Sequence, residues 1–109
     1  MALGDSLTLG WGVEAEQGFT TRLEELLGVD VLNLGVGGYG TDQELMLWER
    51  DGRALKPRVV LLTVCANDLE EISRPAAYGR YGPCFGWHDG ELGLADTPVP
   101  ATRRADWGH

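Results

Sequence analysis

Val29-Asp30-Val31-Leu32-Asn33-Leu34-Gly35-Val36-Gly37-Gly38-Tyr39-Gly40-Thr41-Asp42-Gln43-Glu44, followed at a distance by Val59-Val60-Leu61-Leu62-Thr63-Val64-Cys65, decides the fold. Val29–Leu34 reads as a short strand with Val29, Val31, Leu32 and Leu34 as its apolar positions. Four glycines in the six residues Gly35–Gly40 read as a loop. Thr41-Asp42-Gln43-Glu44 has capping-box spacing, which predicts a helix with the Thr41 hydroxyl as N-cap and Glu44 reaching back. That helix should run to about Leu55, weakened near its end by Gly52 and stopped by Pro57. The run Val59–Cys65 is apolar almost throughout, with no alternation, as suits a parallel strand covered on both faces. Two such strands around a capped helix make a βαβ unit, and this predicts an α/β domain with a parallel, flavodoxin-like sheet.

Working outward, Thr20–Leu27 reads as a helix that puts Phe19, Leu23, Leu26 and Leu27 on one face, with Gly28 ending it. Upstream, Met1-Ala2-Leu3 leads straight into Gly4-Asp5-Ser6, so a strand presenting Ser6 has only two or three residues. Beyond Ser73 the character changes. Four of the five prolines lie from Pro75 to Pro100, and six of the sixteen glycines follow Ser73. This predicts a long irregular loop without a clear element. The chain thus divides into residues 1–72, which carry the α/β pattern, and 73–109, a Gly/Pro-rich continuation of the same domain.

The 109 residues fit one small domain, and the formal charge of −8 argues against nucleic acid and anionic membrane surfaces as partners. No apolar run approaches a membrane span. Cys65 and Cys84 make no disulfide framework and are read as thiols. No His or Cys cluster has metal-ligand spacing, so no metal is expected. No signal peptide is visible; the compartment is open, with the cytoplasm as default and secretion if an upstream signal exists.

Three features carry chemistry. Ser6, in Gly4-Asp5-Ser6-Leu7, puts a hydroxyl where a strand should end and a helix begin, where unpaired N–H groups and the helix dipole favour negative charge. The bland reading makes Asp5 and Ser6 turn or capping residues. The Asn33–Gly40 loop can aim N–H groups at an anion or be a plain turn; it lacks the lysine and spacing of phosphate loops. Ala66-Asn67-Asp68, after the apolar strand, offers the Asn67 amide to an oxyanion or as a cap for the turn that follows.

All three fall at the carboxyl ends of strands, where ligands of parallel α/β sheets collect. In this order they resemble the SGNH (GDSL-type) serine hydrolases over roughly residues 3–72. Block I is Gly4-Asp5-Ser6-Leu7, block II the Asn33–Gly40 loop, and block III Ala66-Asn67-Asp68. The resemblance implies a three-layer αβα fold, here incomplete, with Ser6 as nucleophile. It implies an oxyanion hole formed by the Ser6 N–H, the Gly38 N–H and the Asn67 amide. The implied activity is hydrolysis of a small acyl ester such as a lipid, acylated sugar or thioester, through an acyl-enzyme and without a cofactor. The chain departs from the pattern at Ala66, where block III usually begins with glycine. The family's Asp-x-x-His follows further strands and helices that have no counterpart here. Asp106-Trp107-Gly108-His109 matches it literally, giving His109 as base and Asp106 as orienter. The match also arises by chance in a terminal tetrapeptide, and that reading weighs more. Without an anchored base the chain would be a non-catalytic fragment or degenerate module, poorly folded and nearly inactive alone. His88 reads as a solvated loop residue, Trp48 as helix core, and Trp11 as core or pocket lining.

Overall fold

A computed structural model describes residues 1–72, 76–77, 80–81 and 84–95. The chain forms two compact units, Met1–Cys65 and Ala66–His109. The first is the α/β unit. Its elements are β1 (Ala2–Gly4), α1 (Ser6–Leu9), a 3₁₀ turn (Ala15–Gln17), α2 (Phe19–Leu27), β2 (Asn33–Gly35), α3 (Thr41–Leu47) and β3 (Leu61–Leu62). The three strands form a parallel sheet in the order β2-β1-β3, as the flavodoxin-like reading requires.

Three residues suffice for β1 because both its edges are used. Ala2, Leu3 and Gly4 pair with Asn33, Leu34 and Gly35, and Ala2 and Leu3 also pair with Leu61 and Leu62. The ladder continues past the strand ends. Val36 N–H donates to the Gly4 carbonyl at 3.0 Å, and Thr63 N–H donates to the Leu3 carbonyl at 3.0 Å. The Met1 ammonium donates to the Val59 carbonyl at 3.0 Å. Ala2 and Leu3, at the centre of this ladder, are the buried apolar core among the described residues.

That core is smaller than the apolar pattern predicts. The stripe on α2 does not bury: Thr20 is its buried residue, while Leu26 is 81% exposed. Nor is Val59–Cys65 covered on both faces, because Val59, Leu61, Leu62 and Val64 are all exposed. Its ladder is two residues long and pairs with β1 alone, which makes β3 an edge strand among the described residues. Hydropathy marks which side chains would gain from burial, but burial also needs a neighbouring element.

Helix α3 begins one residue earlier in the capping frame than the sequence suggests. Gly40 is the N-cap, and its N–H donates to Gln43 Oε1 at 3.0 Å. Thr41 therefore lies inside the helix and Glu44 is buried rather than reaching back to the cap. The helical path reaches Leu55, but with altered pitch: a π turn over Trp48–Gly52, then a 3₁₀ turn over Arg53–Leu55. Gly52 is a packing residue. A Cβ there would lie 2.8 Å from Trp48 Cε3 and 3.2 Å from Met1 Sδ.

The second unit departs, in its described residues after Ser73, from the irregular loop that glycine and proline content predicts. It contains α4 (Asp68–Glu71), the short antiparallel pair β4 (Ala76–Ala77) and β5 (Arg80–Tyr81), and a hairpin of β6 (Cys84–His88) and β7 (Glu91–Ala95). Asp89 and Gly90 close the hairpin with φ of 51° and 82°, the two left-handed residues of a type I′ turn. Phe85 faces Leu94 and Trp87 faces Leu92, so the hairpin alternates as strands do.

Candidate functional site

The carboxyl ends of β1 and β2 carry the first two motifs. Asp5 follows β1 and caps α1, its Oδ1 accepting the Leu7 N–H at 2.9 Å. Ser6 is the first residue of that single helical turn and is half-buried. At this position a backbone N–H has no partner within the helix. The turn is closed behind it. Asp5 O accepts from Leu9 N–H at 3.0 Å, and Ser6 O accepts from Gly10 N–H at 3.1 Å and Trp11 N–H at 2.9 Å. Gly10 ends it with a left-handed φ of 91°.

This turn sits on a floor made of two glycines paired in register, Gly4 and Gly35. A Cβ on Gly4 would run into Thr8 Oγ1 and lie 2.8 Å from Thr8 Cβ. One on Gly35 would strike Leu9 N and lie 2.7 Å from the Thr8 carbonyl carbon. A side chain on either strand end would lift α1, and Ser6 with it. Thr8, 1% exposed, is pressed against this floor, and its Oγ1 has no hydrogen-bond partner.

The glycine loop passes beside Ser6. A Cβ on Gly37 would stand 3.9 Å from both Ser6 Cβ and Leu9 Cδ2, ordinary van der Waals contact. Val36–Tyr39 is a turn closed by Tyr39 N–H donating to Val36 O at 3.2 Å. Gly38, its third residue, has φ of 78°, as the third residue of a type II turn must. The bond that closes this turn does not use the Gly38 N–H. Ser6 and Gly37 are thus neighbours.

Asn67 belongs to the second unit. It immediately precedes α4, is exposed, and its side chain makes no capping hydrogen bond, so the cap role weighed against its chemical role is not taken up. Ala66 is not among the residues with positive φ, so a methyl replaces the usual glycine hydrogen without backbone strain. His88 lies in β6, exposed and opposite Glu91, rather than in a loop. Asp106 and His109 lie outside the described residues. Trp11 is 79% exposed and forms no part of the core, and Trp48 is half-buried. Cys65 and Cys84 are thiols. Among the described residues no group of His, Cys, Asp and Glu could hold a metal ion, and no helix is long and apolar enough to cross a membrane.

One residue at the site carries no role in the sequence reading. Asn33 Nδ2 donates to Thr8 O at 2.8 Å and to Thr20 Oγ1 at 3.2 Å, while its Oδ1 accepts the Gly35 N–H at 2.8 Å. It therefore ties α1, α2 and β2 together. Its signal in the sequence is an asparagine, a poor strand former, two residues before the glycine run.

A family model described as the GDSL-like Lipase/Acylhydrolase family matches residues 2–96. No curated protein and no solved structure matches the chain. The matched span runs from β1 through β7 and contains Ser6, the glycine loop and Asn67. Together with the parallel sheet in the order β2-β1-β3, this shows that the chain belongs to the GDSL-like lipase/acylhydrolase family, a family of hydrolases, and has its α/β SGNH fold.

Proposed function

We propose that the protein hydrolyses carboxylic esters of small molecules through a covalent acyl-enzyme on Ser6. The observation that carries this reading is the position of Ser6. It heads a one-turn helix at the carboxyl end of the central strand, with Gly37 close enough that an added Cβ would stand 3.9 Å from Ser6 Cβ. A hydroxyl there attacks the ester carbonyl, the alcohol leaves, and water releases the acid. The Ser6 N–H, the Gly38 N–H and the Asn67 amide are assigned to the developing oxyanion, where preorganised donors lower the barrier most. The positive φ of Gly38, which turns the backbone at this position, supports its part in this assignment. The sequence match offers His109 as base and Asp106 as its orienting carboxylate, against the chance reading of the same tetrapeptide, and His109→Ala decides between them. An imidazole held by a carboxylate is what makes a serine hydroxyl nucleophilic at neutral pH.

The test is initial-rate hydrolysis of a series of short acyl esters by the purified chain, its Ser6→Ala variant and its His109→Ala variant. The reading requires ester turnover that Ser6→Ala removes, and its loss in His109→Ala as well would establish the base. Turnover undiminished in Ser6→Ala would refute the nucleophile. Undiminished turnover in His109→Ala would refute the base alone. No turnover in any form would favour a non-catalytic module.

A further inference from the structure

The turn that carries Ser6 is too short to hold itself. One helical turn fixes several backbone angles for a single hydrogen bond and is unfavourable in isolation. Asp5 clamps its amino end. At its carboxyl end the Thr8 carbonyl, one of the orphan acceptors of any helix terminus, receives Asn33 Nδ2 at 2.8 Å. The same amide holds Gly35 N–H through Oδ1 and reaches Thr20 Oγ1 through its second N–H. Gly35 opens the loop whose next turn contains Gly37 and Gly38. One side chain thus bonds both the segment that carries Ser6 and the segment that flanks it.

We infer that Asn33 is a positioning residue for the reaction at Ser6, fixing the nucleophile's turn against the glycine loop. The inference rests on the ester-hydrolase reading above. No other residue type of this size supplies both a donor to Thr8 O and an acceptor for Gly35 N–H: Asp lacks the donor, and Leu lacks both. Asn33 lies in the wall of a 250 Å³ cavity lined also by Leu9, Gly10, Thr20 and Glu24. Water entering there replaces lost hydrogen bonds in part, so the effect is tens-fold rather than thousands-fold.

The experiment compares the full chain with Asn33→Ala, Asn33→Asp and Thr20→Val. Two readouts are taken: the concentration dependence of Ser6 phosphonylation by a fluorophosphonate, followed by intact mass, and backbone amide exchange. Asn33→Ala and Asn33→Asp should lower the maximal labelling rate by about tenfold, with half-saturation changed less than roughly twofold, as expected for lost alignment rather than lost binding. Gly35 N–H exchange should quicken in Asn33→Ala but not in Asn33→Asp, which keeps Oδ1. Thr20→Val, which spares the Thr8 and Gly35 bonds, should label as the parent does. Parent-like labelling by both Asn33 variants would overturn the inference, as would loss seen only in half-saturation. A parent chain whose Ser6 does not react at all would instead overturn the ester-hydrolase reading, and the positioning role with it.

Discussion

Gly35→Ala is the sharpest perturbation that the site allows. The new Cβ would lie 2.7 Å from the Thr8 carbonyl carbon and closer still to Leu9 N, both of them backbone atoms of α1. Carbon atoms rest about 3.5–4.0 Å apart, so α1 and β2 must separate by roughly 1 Å. Rotamer adjustment could move Asn33 Oδ1, 2.9 Å from the new Cβ, but not the Thr8 and Leu9 backbone atoms. Gly35 has no positive φ, so the backbone would accept alanine, which by itself adds about 0.4–1 kcal/mol of stability by restricting the unfolded chain. Overpacking costs about 1–3 kcal/mol, and with backbone against backbone the upper end applies, leaving a net loss of about 2 kcal/mol. The same displacement moves Ser6, and a misplacement of about 1 Å lowers reaction rates by around 100-fold. The assay is the urea midpoint by circular dichroism together with Ser6 phosphonylation. Gly93→Ala, with nothing within 4 Å of its new methyl, is the control and should fall within about 0.5 kcal/mol of the parent. A Gly35→Ala variant with parent-like stability and labelling would refute the glycine floor.

Three further expectations concern the glycine floor, the proposed oxyanion hole and the glycine turn. Thr8→Val replaces a buried hydroxyl that has no partner with a methyl of equal size, and should raise stability by about 1 kcal/mol at an unchanged urea m-value; a loss of that size would mean the hydroxyl is bonded. Asn67→Ala should lower kcat by about 100- to 1,000-fold and leave KM nearly unchanged, whereas an effect under roughly threefold would remove Asn67 from the oxyanion hole. Gly38→Ala forces a side chain into the left-handed region and should cost about 1–2 kcal/mol of stability, while Gly37→Ala, whose methyl only reaches ordinary contact, should fold as the parent does.

The sequence makes the parallel α/β pattern readable because apolar runs, loop glycines and a capping signature all agree between residues 29 and 65, whereas the central place of β1 follows only from the flavodoxin-like likeness. The extents of the strands are less visible. β2 starts at Asn33, and β3 is two residues long, because pairing with three-residue β1 sets their length and hydropathy does not. The cap of α3 shifts by one because Gly40 followed by Gln43 satisfies the same spacing as Thr41 followed by Glu44. The β6–β7 hairpin hides behind its composition: prolines and glycines suggest a loop, whereas Phe85, Trp87, Leu92 and Leu94 alternate around an Asp-Gly turn. At the site, Ser6 and the glycine loop are legible as motifs. The floor formed by Gly4 and Gly35 and the three bonds of Asn33 are not, since they depend on how closely α1 approaches the sheet.

The central claim is that Ser6 is an activated nucleophile. It is tested most directly by treating the purified chain with a fluorophosphonate and mapping the adduct by peptide mass spectrometry. The account predicts one adduct per chain, on Ser6, that is absent from Ser6→Ala and slowed when a short acyl ester competes. An adduct elsewhere, or undiminished labelling of Ser6→Ala, would contradict it.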